Sequence, residues 1–113
     1  MEGFLPLTHL SFQILVALAD QDRHGYGIIK EIEATSGTGP STGALYLALQ
    51  RMQAEGLVAE AAERPAGPDD DPRRKYYAIT RLGRRVASAE SERLATLLGV
   101  AAAKRLVPER GRG

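Results

Sequence analysis

The run from Thr38 to Val58, T-G-P-S-T-G-A-L-Y-L-A-L-Q-R-M-Q-A-E-G-L-V, constrains the fold more than any other part of the chain. Ser41 or Thr42 can cap a helix here, because a hydroxyl at that point accepts a bond from an orphan backbone N–H. Leu45, Ala48, Leu49 and Met52 then recur at three-to-four spacing and make one apolar face. Gly56 stands where the chain must turn left-handed after a helix, and Leu57-Val58 resumes as extended chain. The opposite face carries Gly43, Tyr46, Gln50 and Gln53. A helix that buries one face and offers small polar groups near its start suits a DNA major groove. The plainer reading is an ordinary amphipathic surface helix, since Gln is also a good helix former. The flanking segments decide between the two.

Upstream, Leu7 to Ala19 is apolar almost all round, which predicts a central buried helix too short and interrupted to span a bilayer. Met1-Glu2-Gly3 offers no basic lead-in of the kind a secretory signal needs. Asp20 to Arg23 reads as a polar turn. His24 to Gly27 then leads into a second short helix with Ile28, Ile29 and Ile32 inward, and Tyr26 is expected to pack between helices. Ser36 to Pro40 makes the tight connection to the helix above, completing a helix-turn-helix pattern.

Downstream, Leu57 to Arg64 and Lys75 to Thr80 read as the strands of a hairpin. The Pro- and Asp-rich loop between them is the expected wing. Arg64, Arg73, Arg74 and Lys75 at its base can neutralise phosphates, whereas Asp69, Asp70 and Asp71 at its tip repel them.

The segments H-G-Y-G-I-I-K-E-I, S-T-G-A-L-Y-L-A-L-Q-R-M-Q-A-E-G-L-V and R-R-K-Y-Y-A-I-T-R-L-G-R-R resemble the PadR family of bacterial transcriptional regulators, in order and spacing, from about Leu7 to about Arg85. The resemblance implies a winged-helix dimer that represses transcription and responds to small ligands. Carried over residue by residue, it implies that Ser41, Thr42, Gly43 and Tyr46 face DNA, with a wing contact around Arg73 to Lys75; Gln50 joins them from the polar helix face. Two departures stand out. The three aspartates lengthen and acidify the wing, and the chain has no Trp on which a ligand could stack.

Thr80 can cap a long helix from Arg81 to about Arg105, with an apolar stripe of Leu82, Val86, Leu94, Leu97, Leu98 and Ala101. The stripe is too irregular for a heptad coiled coil and is expected to form a two-fold dimer interface. Folding back on its own domain is the alternative. An effector is expected where two chains meet, with Phe12, Leu94, Leu97 and Leu98 as its lining.

The expected architecture is therefore mainly α with a small β-hairpin: a winged helix-turn-helix domain over 1–80, a dimerisation helix over 81–107 and a disordered tail over 108–113. The expected function is a cytoplasmic, dimeric DNA-binding repressor on a two-fold duplex operator, released by a small hydrophobic effector. A winged-helix adaptor that binds protein instead of an operator is the alternative, kept open by a net charge of only +1. That charge is unevenly spread: residues 1–36 carry two basic groups against five acidic, residues 37–80 five against six, and residues 81–113 eight against three. The basic surplus thus lies in the last helix and tail, where Arg81, Arg84 and Arg85 can reach phosphate or simply face water.

The chain has no Cys, which excludes thiol redox sensing, thiolate zinc sites and cysteine nucleophiles. His9 and His24 are too few and too far apart for a metal site, and Ser41 lacks the partners of a catalytic triad. No cofactor, metal, membrane partner or catalysis is expected.

Overall fold

The computed structural model describes residues 2–61 and 74–108. A 3-10 turn at Glu2–Phe4 precedes α1 (His9–Leu18), which Thr8 caps by accepting from Ser11 N–H at 3.1 Å. Strand β1 (Arg23–His24) leads into α2 (Gly25–Ser36), and Gly37 ends that helix in the left-handed region at φ +91°. Then come α3 (Thr42–Ala54), β2 (Val58–Glu60), β3 (Tyr76–Ile79) and α4 (Arg81–Ala103). Of the two candidate caps for α3, Ser41 is the one used, accepting from Ala44 N–H at 3.1 Å. Gly56 makes the expected left-handed exit at φ +80°.

The expected hairpin is there, but it is two strands of three. The sheet has the order β1-β3-β2 and is antiparallel throughout, with Arg23 opposite Tyr77, His24 opposite Tyr76, and Val58 opposite Ile79. The supposed turn before α2 is thus partly sheet, and α2 begins at Gly25, with His24 as its cap. A strand of two residues has no periodicity to reveal it. Arg23 holds this corner together: its Nε donates to Ala17 O at 2.7 Å, and its guanidinium bonds Asp20 and lies 3.6 Å from Glu31.

The three helices and the sheet enclose one core. Ile14, Leu15 and Leu18 of α1 meet Ile28 and Ile32 of α2 and Leu45, Leu49 and Met52 of α3, with Leu57, Val58 and Tyr77 closing the sheet side. Each of the four apolar positions expected on α3 is buried.

The last helix divides in two. Val86 is enclosed in this chain's own core and Leu82 packs against it, so these two of the expected interface residues face inward. The division falls at Glu90, which is only 2% exposed. Its carboxylate accepts from Arg93 at 2.7 and 3.0 Å and from Leu7 N–H at 3.3 Å, tying α4 to the N-terminal segment. From Ser91 to Val100 every residue is exposed. Arg84 has a structural role too, donating to Ala19 O at 2.8 Å where α1 leaves that carbonyl without an intrahelical partner.

Two stability predictions follow from these contacts. A methyl at Gly83 runs into the backbone carbonyl of Leu57, which has little room to retreat. Gly83→Ala is therefore expected to cost about 1–3 kcal/mol in denaturant unfolding, although Ala is the better helix former. The second concerns pH. The hydrogen bonds from Arg93 hold the Glu90 carboxyl below its ordinary 4.5, against the opposing pull of burial, with help from the Arg93 charge and Leu7 N–H. A lowered carboxylate stabilises the fold above its unfolded value, and that contribution disappears as pH falls through the folded value. The stability gap between the native chain and Glu90→Gln should be full above about pH 5.5 and close as pH drops below 4.5; a gap independent of pH would show that Glu90 acts by packing alone.

Candidate nucleic-acid interface

Spacing of three and four places Gly43, Leu47 and Gln50 in one row along α3, facing away from the core. Leu47 is 70% exposed, the second most exposed large apolar side chain described. Polar-face spacing alone does not single it out, because its neighbours on that face are Gly43, Tyr46 and Gln50. The signal was available: Leu47 is a leucine off the stripe of Leu45, Ala48, Leu49 and Met52. A lone apolar side chain on such a face suits the C5 methyl of thymine.

The flanks of α3 are fastened. On one side Arg51 donates to the buried Ser11 hydroxyl of α1 at 2.7 Å. On the other, the Tyr46 hydroxyl lies against Gly25 at the start of α2, in the space a Cβ there would fill. Tyr46 is 44% exposed, so its ring is half covered and its end is tucked against backbone. Ser41, Thr42 and Gly43 are all exposed at the head of the helix.

Beside Tyr46 opens a cleft of about 450 Å³ between the start of α2, α3 and the base of the wing. Among the described residues, His24, Gly25, Tyr26, Tyr46, Arg74, Lys75 and Tyr77 line it. The structure thus brings Tyr46 together with Arg74 and Lys75, across 28 residues of sequence. Arg73, Arg64 and Asp69 to Asp71 lie outside the described residues. Tyr26 does not pack between helices as expected. It is exposed, with Lys30 Nζ 5.6 Å from its ring centre and the His24 ring stacked at 6.4 Å. The His24 ring also meets Tyr76, edge-on at 5.2 Å. Burial, together with the Arg74 charge, pushes the His24 pKa below its usual 6.5. Burial raises the Tyr77 hydroxyl, helped by Tyr46 and Glu60.

The remaining expected residues sit elsewhere. Phe12 lines a smaller groove of about 180 Å³ built from α1 and α2, with His9, Val16 and Ile32. Leu94, Leu97 and Leu98 lie on the outer half of α4 and contribute nothing to that groove within one chain. Ala101 is half-buried. Among the described residues no group of His, Asp or Glu is placed to hold a metal ion.

Residues 14–89 match the family model of the transcriptional regulator PadR-like family. The chain belongs to that family. Its fold agrees: a PadR family transcription regulator from Clostridium difficile R20291 superposes with a TM-score of 0.73 at 25% identity, over 85% of this chain and 97% of that one. RosR from H. salinarum gives 0.61 at 26% identity, over 89% and 98%. A transcriptional regulator from Clostridium thermocellum has the same fold, with a TM-score of 0.68 at 23% identity, over 90% of both chains. By sequence the chain is 36% identical over 86 residues to an uncharacterized 37.1 kDa protein in transposon TN4556 of Streptomyces fradiae, a match covering 76% of this chain. The chain spans about a quarter, 23%, of that relative's length. No helix among the described residues is long and apolar enough to cross a membrane.

The contact between Tyr46 and Gly25 gives a prediction that contrasts with Gly83. At Gly25 the obstructing atom is the end of a half-exposed side chain, which can swing away. Gly25→Ala should therefore lose less than half the stability that Gly83→Ala loses, yet displace the Tyr46 ring. Tyrosine ring resonances report the displacement; unchanged Tyr46 signals in Gly25→Ala would mean the hydroxyl does not dwell on that backbone.

Proposed function

We propose that the protein is a homodimeric repressor that reads a two-fold DNA operator and is released from it by a small hydrophobic effector. The observation that carries the reading is the single surface formed by the outward row of α3, Tyr46 and the basic wing base. In this reading Gln50 and Leu47 enter the major groove, where an amide can pair with adenine and an apolar side chain with thymine methyl. Ser41, Thr42 and Gly43 approach the backbone at the head of α3, and Arg74 and Lys75 neutralise phosphates.

The outer half of α4 supports a dimer. Leu97 and Leu98 are 58% and 57% exposed, and Leu94 and Val100 extend the same apolar surface beyond the Glu90 tie. Some 13 residues of helix stand clear of the core there, roughly 20 Å at the usual rise. Two recognition helices held across a two-fold axis can then reach half-sites about 34–36 Å apart. The apolar groove at Phe12 and Val16 is where the partner's helix and an effector would meet.

Fluorescence anisotropy against DNA from just upstream of the gene, with an unrelated duplex as competitor, tests operator reading. Tight, competitor-resistant binding is expected. Lys75→Ala should weaken binding on every sequence and reduce the salt slope by about one, whereas Leu47→Ala should weaken the preferred duplex selectively. Equal binding to both duplexes at moderate salt would remove the operator reading and bring the adaptor reading forward. For the dimer, Leu97→Glu with Leu98→Glu is expected to shift sedimentation to the monomer while keeping the helical signal; a dimer that survives both changes would place the interface elsewhere.

A further inference from the structure

A glycine inside an α-helix costs stability, because its backbone loses more freedom on folding than that of alanine. Most of the described glycines have a reason within the fold. Gly37 and Gly56 are left-handed, at φ +91° and +80°. A Cβ at Gly25, Gly39 or Gly83 would run into Tyr46, Glu33 or the Leu57 carbonyl. Gly43 and Gly99 are different. Both lie inside α-helices and are exposed, and no described atom stands within 4 Å of where their Cβ would be. Gly99 lies on the outer half of α4, the proposed dimer surface. Gly43 is the second residue of α3 and heads the outward row that continues through Leu47 and Gln50.

The space beside Gly43 is not taken up by the next side chain of the row. Helical side chains lean toward the N-terminus, so Leu47, one turn on, leans over the head of α3. It nevertheless stays clear of the missing Cβ and is 70% exposed. Gln50 follows Leu47 by three residues, about 4.5 Å along the helix axis. One base step is about 3.4 Å, so two side chains placed in this way meet neighbouring base pairs. How deep they reach depends on the head of α3, because the start of a recognition helix leads it into the groove. Even one methyl at position 43 would hold that end off.

We propose that Gly43 is the point of closest approach between α3 and DNA: atoms of the duplex fill the space of the missing side chain, and the depth so gained brings Leu47 and Gln50 onto two neighbouring base pairs. The assignment rests on the operator reading above and deepens it. Gly43 recognises no base itself. It is a positioning residue that acts through Leu47 and Gln50, and it gives up helix stability for depth of insertion. A stability cost at an exposed, uncrowded helical position is what such a role leaves in the free protein.

Gly43→Ala tests this, because stability and binding should move in opposite directions. Its thermal midpoint should rise by about 2–6 °C. Its affinity for the duplex that the native chain binds best should fall about tenfold or more, as for an overpacked contact, with little change on an unrelated duplex. A second readout follows the depth of α3. Thymines of the preferred duplex are replaced one at a time by deoxyuridine, which removes a single methyl from the major groove. One position per half-site should weaken the native chain and have no effect on Gly43→Ala or Leu47→Ala, since Leu47 no longer reaches it. Three outcomes would each overturn the role of Gly43 and leave operator reading intact: a stabilised Gly43→Ala that binds like the native chain, a Gly43→Ala that is less stable, or a methyl effect that persists in it. A native chain that prefers no duplex would instead overturn the operator reading, and this inference with it, whatever Gly43→Ala does to the thermal midpoint.

Discussion

The Thr80 hydroxyl joins the parts of this molecule that must keep a fixed relation. It lies 2.6 Å from Gly56 O and 3.0 Å from Leu57 O as a donor, and accepts from Gly83 N–H at 2.9 Å, while Thr80 N–H donates to Leu57 O at 3.1 Å. The end of α3, the entry to β2, the end of β3 and the first turn of α4 therefore meet within one residue's reach. A polar group placed there without partners would cost more than each bond contributes when made, so the corner is either complete or strongly unfavourable. Gly83 is what lets it be complete, because any side chain would push α4 off the Leu57 carbonyl. The relation between α3, the β2 and β3 strands and α4 follows from this corner.

Much of that architecture is legible in the sequence because it rests on local chemistry. Ser41, Gly56 and Thr80 have turn and capping roles that depend on their own side chains or on having none. The apolar spacing of Leu45 to Met52 describes a helix face whatever lies against it. Less legible were features made by distant partners. The β1 strand exists because Arg23 and His24 pair with Tyr77 and Tyr76, more than fifty residues away. Val86 and Leu97 look alike on a helical wheel, and only the position of Glu90 against Leu7 separates the enclosed half of α4 from the free half. Tyr26 departs from its expected setting for a similar reason, while Tyr46 is exposed as expected but rests its hydroxyl on Gly25. An exposed ring can be held by Lys30 and His24, and a ring on the polar face of α3 can be half covered by α2, which periodicity does not encode.

The near-neutral charge of the chain also reads differently once the chain is folded. Net charge averages over surface that never meets the same partner. Among the described residues Arg74 and Lys75 line one cleft with Tyr46 of α3, while Arg84 bonds the end of α1 and Arg93 bonds Glu90. Counting basic residues thus overstates the C-terminal helix as an electrostatic surface. Local arrangement decides where a polyanion can lie.

Both flanks of α3 are occupied by fastenings, Arg51 to Ser11 on one side and Tyr46 against Gly25 on the other. That leaves a narrow outward row for reading bases, in which Gly43 has no side chain and Leu47 can offer only apolar contact. Gln50 alone in the row can make a paired hydrogen bond to a base edge, worth about 1–3 kcal/mol of discrimination. One copy of such a row distinguishes few sequences. Doubling it across a two-fold axis adds the discrimination of both half-sites and makes their spacing a further criterion. In the proposed dimer, a recognition helix this firmly fastened and this sparsely equipped would gain most of its selectivity from being one of a pair. On the proposed reading, the exposed Leu94–Leu98 surface of α4 would matter to DNA reading for that reason, although it belongs to a different helix from the outward row of α3.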